Sequence, residues 1–191
     1  MSLSPEDQAR ANFYALLSRL FYGPPDAALL AALAQADDLE ADDKTIAACW
    51  SELAKAASSA KPDAVREEYE AAFVGTGKAP VTLYASAYSI KYTNETPLAL
   101  LRGELATLGL VRRNEIGEPE DHIAALCDTM RYLVSERELA EQQRFFSRWI
   151  QPSAEPLCNA IDKSAHTIFY KTVGRLAKAF FSLEHSAFEM L

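Results

Sequence analysis

The sequence predicts an all-α fold, and three observations carry that expectation. Apolar residues recur at helical spacing in one segment after another. Most of those segments open on a start signal, a Ser, Asp or Pro, and three of these are followed by acids. One long stretch, at about 75–96, breaks the period. We expect a single-domain helical bundle of about nine to eleven helices spanning residues 1–191. It would carry one long ordered loop at about 75–96 and a candidate hinge at 109–117.

Ser4 is placed to cap a first helix, with Pro5 at its first position, Glu6 and Asp7 behind it, and Phe13, Leu16, Leu17, Leu20 and Phe21 on one face. Gly23-Pro24-Pro25 ends that helix. Asp26 opens a second, to about Ala36. A third runs from about Asp43 through Ile46, Ala47, Trp50 and Leu53 to Ser58-Ser59. Pro62 and Asp63 start a fourth, on which Val65, Tyr69, Ala72 and Phe73 share a face. From Gly75 the period is lost, yet Val81, Leu83, Tyr84, Tyr88, Ile90 and Tyr92 are too apolar for a solvated linker, so an ordered loop or short extended pieces are expected. Loops of this length are commonly functional.

Helix resumes at Pro97 with Leu98, Leu101, Leu105 and Leu108 and breaks at Gly109. The next helix is expected to begin near Glu118, with Pro119 as its first residue and Glu120 and Asp121 in its first turn. Ile123, Leu126, Cys127, Met130, Leu133 and Val134 form its apolar stripe, opposite Asp128, Arg131 and Ser135. Leu139 to Ile150 forms another helix, punctuated by Pro152 and Pro156. The last is expected from about Asp162 to Leu183, with Ile168, Phe169, Val173, Leu176, Phe180 and Phe181 inward.

The chain holds 27 acids against 19 bases, a net charge of −8, which disfavours a nucleic-acid partner. No apolar run approaches the roughly 18 residues of a membrane span. The amino-terminal stretch is acidic and lacks an apolar core, so a cytoplasmic protein is expected. Cys49, Cys127 and Cys158 are dispersed and fit reduced thiols.

No motif supports catalysis, a metal or a cofactor. Gly75-Thr76-Gly77-Lys78 lacks the glycine and the Ser or Thr that a phosphate loop needs, and it follows a helix. His122, His166 and His185 lack the Glu-x-x-His pairing of a di-iron bundle and the clustering of a zinc site. His122 and Asp121 are helix neighbours about 100° apart and do not face each other. Glu118, one turn back, is the better partner, and that pairing would favour a charged imidazole. The aromatic loop reads either as a lid over a helical core or as a binding groove, and its glycines and prolines favour the groove.

Three separated signatures, LLSRLFYGPPDAALLAAL (16–33), EYEAAFVGTGKAPVTLYASAY (68–88) and EPEDHIAALCDTM (118–130), resemble the TorD/DmsD/NarJ family of redox-enzyme maturation chaperones. QQRFFSRWIQP and FYKTVGRLAKAF resemble the family's C-terminal part. The resemblance implies a non-enzymatic, cytoplasmic, all-helical chaperone. Its partner would be the twin-arginine signal peptide, or the folded client, of a molybdenum-cofactor oxidoreductase subunit of the DMSO/TMAO reductase, nitrate reductase or formate dehydrogenase type. The state implied is a monomer or a homodimer, with or without exchange of helices between protomers. Carried over, the peptide-binding residues would be Tyr69, Phe73, Tyr84, Ser86, Tyr88, Glu118, Pro119, Asp121 and His122. Tyrosines stand here where the DmsD-like branch has loop tryptophans, and Ala72 where it has a larger apolar residue. A GTP-binding switch or enzyme of the same fold, and a helical adaptor with no peptide site, are the alternative readings.

Overall fold

The computed structural model describes residues 3–75, 78–89, 97–111 and 117–191. The fold is all-α, as expected, and its elements fall into two compact units. The first comprises 1–18 and 83–153; the second, 19–82 and 154–191.

Helix α1 (Pro5–Tyr22) contributes residues up to Ser18 to the first unit. Ser4 caps it as expected, its hydroxyl accepting the Asp7 N–H at 3.0 Å. Ala11, Tyr14 and Leu17 are buried. Helix α6 (Pro97–Thr107) buries Leu101 and Leu105, and α7 (Ile123–Glu136) buries its whole stripe from Ile123 to Val134. Against α7 pack α8 (Leu139–Phe145) and the π-helical turn Phe146–Ile150 that extends it. Phe145, Phe146 and Ile150 are buried, while the Trp149 indole N–H donates to Glu104 at 2.8 Å.

In the second unit, α3 (Lys44–Ser59) packs on both α2 (Ala27–Ala34) and α10 (Phe169–Glu189). Asp26 and Asp43 cap α2 and α3 through their carboxylates, as their positions predict. Helix α4 (Pro62–Tyr69) runs into a second π-helical turn, Glu70–Val74, which Gly75 closes at φ +60°. That left-handed φ suits glycine. The π turn leaves the Ala72 carbonyl free to accept the Val81 N–H at 2.9 Å, which ties the start of the loop to the helix end.

The boundaries differ from expectation in four places. Helix α7 begins at Ile123, not near Glu118, because residues 119–122 form a turn closed by the His122 N–H on the Pro119 carbonyl. Pro152 and Pro156 do not break the chain: α9 (Gln151–Lys163) runs through both. Pro152 sits in the first turn after the π turn, and Pro156 forgoes one bond without ending the helix. Helix α10 begins at Phe169, seven residues later than expected, and Ile168 is 81% exposed instead of inward. The reason is a break at 164–168: the Thr167 hydroxyl donates to the Ile161 carbonyl at 2.6 Å, and Glu68 caps the new helix. The loop holds a short helix, α5 (Ser86–Ser89), and one isolated β-bridge. Thr76 and Gly77, Ile90 and Tyr92, and most of the 109–117 segment lie outside the described residues.

Candidate functional site

Backbone pairing joins the loop to the turn ahead of α7, within the first unit. The Ile123 N–H donates to the Leu83 carbonyl at 2.8 Å and the Ala85 N–H to the Asp121 carbonyl at 2.9 Å. Tyr84 and His122 therefore face each other across a single antiparallel bridge. Alternation along this short extended piece buries Leu83 and Ala85 and leaves Tyr84 and Ser86 partly exposed.

Two hydroxyl–carboxylate bonds follow from that register. The Tyr84 hydroxyl donates to Glu118 Oε2 and the Ser86 hydroxyl to Asp121 Oδ2. Asp121 is only 7% exposed, and the Ser86 hydroxyl satisfies one of its carboxylate oxygens. Glu120 is engaged differently: Arg102 Nε donates to it at 3.0 Å. Glu118 is the outermost of the three carboxylates. Tyr88 follows within α5, its N–H donating to the Ala85 carbonyl at 3.0 Å.

His122 is the N-cap of α7, its Nδ1 accepting the Ala124 N–H at 3.2 Å. Its ring meets that of Tyr84 edge-on, centroids 5.4 Å apart. Burial lowers the imidazole pKa below its ordinary value and outweighs the opposing pull of Glu118 and Asp121. The charged imidazole expected from the Glu118 pairing is thus corrected: an Nδ1 that accepts a backbone N–H is the neutral form.

The bridge thus brings together Tyr84, Ser86, Glu118, Pro119, Asp121 and His122. Tyr69 and Phe73 belong to the second unit and form an aromatic cluster with Tyr170, with centroids 5.0 to 5.6 Å apart. The Tyr69 hydroxyl donates to the Phe21 carbonyl at 3.0 Å, and Tyr69 and Phe73 are each 9% exposed. Tyr69 also lines a groove of about 880 Å³ on that unit, together with Pro24, Arg66, Val74, Lys78 and His166. Sequence reasoning set His166 aside and did not single out Arg66.

The sequence matches the family model of the nitrate reductase delta subunit over residues 39–159. The chain belongs to that family. It is the NarJ/TorD-like chaperone family that the three signatures resemble, and every residue carried over from it, Tyr69 to His122, falls inside the match. A crystal structure of a candidate redox enzyme maturation protein from Archaeoglobus fulgidus shares the fold of this delta-subunit relative. The TM-score is 0.58 at 17% identity, over 91% of this chain and 93% of that one. Among curated proteins, none matches the sequence. Among the described residues, no helix of this family member is long and apolar enough to cross a membrane.

Proposed function

We propose that this delta-subunit family member is a cytoplasmic, non-enzymatic maturation chaperone. It would bind the twin-arginine signal peptide of a molybdenum-cofactor oxidoreductase subunit and hold the apo-enzyme until cofactor insertion and export or assembly. The observation that carries the reading is the bridged cluster itself, in which an exposed carboxylate, Glu118, stands beside an aromatic surface, Tyr84, on a short rigid ladder. A twin-arginine leader offers complementary chemistry: a basic end and an apolar stretch of about 7 to 15 residues.

The energies divide the labour. Each leucine buried against tyrosine and helix surface contributes roughly 1.5 to 3 kcal/mol, so two or three support micromolar affinity after ordering costs. An arginine fork on Glu118 adds about 0.2 to 1 kcal/mol, because the carboxylate is exposed. Apolar contact sets the affinity on this account, and charge sets the selection. The working state is a monomer or a homodimer.

The test is calorimetric titration of a twin-arginine leader peptide into the wild type, Glu118→Gln and Tyr84→Ala. Glu118→Gln should weaken binding by about twofold to fivefold and Tyr84→Ala by more. A leader with both arginines changed to glutamine should bind the wild type and Glu118→Gln alike. Equal affinity across the three proteins, or no binding by the wild type, defeats the proposal.

A further inference from the structure

Within the first unit, the three carboxylates ahead of α7 have a cation beside them that comes from another helix. Helix α6 carries Arg102 next to the buried Leu101, and its backbone is fixed by the burial of Leu101 and Leu105 and by Glu104, which accepts the Trp149 indole N–H at 2.8 Å. Positions two apart on a helix are rotated by about 200°, so Glu104 reaches Trp149 on one side while Arg102 reaches the turn on the other. There Arg102 Nε donates to Glu120 Oε2 at 3.0 Å, and the pair is lopsided: the arginine side chain is 52% exposed and the glutamate 13%. The acid is covered, and its cation is the part that solvent meets. Asp121 is buried on the Ser86 hydroxyl, which leaves Glu118 as the exposed carboxylate of the three.

We infer that Arg102 limits this cluster to one guanidinium. It occupies Glu120 from within, so a guest with two adjacent arginines is recognised through one of them. The inference rests on the chaperone reading only in taking the guest to carry arginine. A second guest arginine at Glu120 would have to displace a partner tethered to α6, whose local concentration a guest does not match, and would stand beside the like charge of Arg102. Arg102 is thus a specificity determinant that acts by closing an acid, not by touching the guest.

The probes are two capped dipeptides, acetyl-Arg-Arg-amide and acetyl-Arg-Gln-amide, which carry guanidinium groups without an apolar stretch. Each is titrated against the full chain at low ionic strength, where surface charges are least screened, and followed by the amide shifts of Tyr84, Glu118 and Glu120. The wild type should favour the diarginine probe by no more than about twofold, since either arginine can take Glu118. Arg102→Gln opens Glu120 to the second guanidinium and should raise that ratio by about twofold to fivefold, the worth of one exposed pair. Arg102→Lys keeps the charge and should leave the ratio where it was. Arg102→Gln joined to Glu120→Gln removes one charge of each sign, so the net charge stays at −8, and it should return the wild-type ratio. Circular dichroism checks that the variants fold. A ratio unmoved by Arg102→Gln, raised as much by Arg102→Lys, or still raised in the double variant overturns the inference, as does an absence of shifts with either dipeptide. A twin-arginine leader titrated in parallel keeps the two readings apart. The dipeptide pattern without leader binding upholds the inference and defeats the leader reading; leader binding with a ratio indifferent to Arg102→Gln does the reverse.

Discussion

Removing the Glu68 carboxylate should unpin the start of α10, and the size of the effect can be worked out from three bonds. Glu68 accepts the N–H groups of Ile168, Phe169 and Tyr170 at 2.8, 3.0 and 2.7 Å. These are the orphan donors that a helix leaves at its first turn. Ile168 is 81% exposed, so water replaces its bond, but Phe169 and Tyr170 are 5% and 0% exposed and their amides have less access. Losing a helix cap costs about 0.5 to 2 kcal/mol, and losing a negative charge at the positive end of the dipole costs about 0.3 to 1 kcal/mol more. Glu68→Ala should therefore cost about 1 to 3 kcal/mol. Glu68→Gln keeps one acceptor oxygen but replaces the other with an NH2 donor, so it loses the charge and one of the bonds, and about 0.8 to 2 kcal/mol is expected. Urea unfolding followed by circular dichroism gives both values, and hydrogen exchange at Phe169 and Tyr170 localises them. Glutamine costing as much as alanine, or exchange at those amides unchanged in Glu68→Ala, would refute the capping argument. The effect reaches the groove as well: Tyr69 is the neighbour of Glu68 in sequence and packs on Tyr170 with centroids 5.6 Å apart.

The pH dependence of stability should carry the signature of His122. Its folded pKa lies below the ordinary 6.5, so the unfolded chain takes up the proton first as pH falls. Stability should then decline from about pH 6.5 through the lower folded value and level off beneath it. His122→Asn preserves a capping acceptor without titrating, and it should flatten that part of the profile; an identical profile would contradict the buried neutral cap. Gly174→Ala should destabilise by about 1 kcal/mol even though alanine favours helix, because the new Cβ would stand 3.0 Å from Ile161 Cγ2. Ile161→Leu removes that branch and should restore most of the loss in urea unfolding, whereas no recovery in the double variant would point to another cause.

What the sequence made legible was set by neighbours along the chain. Ser4, Asp26 and Asp43 were readable as caps because a cap bonds two or three residues ahead. The stripe of α7 was readable because a helix repeats its face every few residues. What escaped was set by partners far off. Pro119, Glu120 and Asp121 satisfy every local rule for a helix start, yet the strand-like pairing of Tyr84 with His122 takes the backbone of that turn instead. The cap of α10 comes from a residue 100 positions away, so the start at Phe169 carried no signal near Asp162. The sign of the His122 shift was illegible for the same reason. Glu118 and Asp121 are visible in the sequence, but burial outweighs them, and burial is a property of the folded neighbourhood.

The bridged cluster also decides which acid can meet an incoming guanidinium on the proposed reading. Asp121 is buried, with one oxygen on Ser86 and its carbonyl on Ala85, so it serves the ladder. Glu120 already holds Arg102 at 3.0 Å, and a second arginine there would repel the first. Glu118 remains. Its Oε2 accepts the Tyr84 hydroxyl, but a carboxylate offers about four lone-pair sites, so a fork can bind without displacing the tyrosine. Tyr84 then does two things at once: it fixes the rotamer of the acid and presents its ring to whatever apolar residue follows the arginine. Tyr84→Phe separates these roles, since it keeps the ring and removes the hydroxyl's bond to the carboxylate. If orientation of Glu118 is what selects arginine, the variant should lose discrimination between the twin-arginine leader and its glutamine counterpart while keeping most of its affinity for both. Discrimination retained in Tyr84→Phe would show that the exposed charge alone is enough and that the hydroxyl serves only the fold.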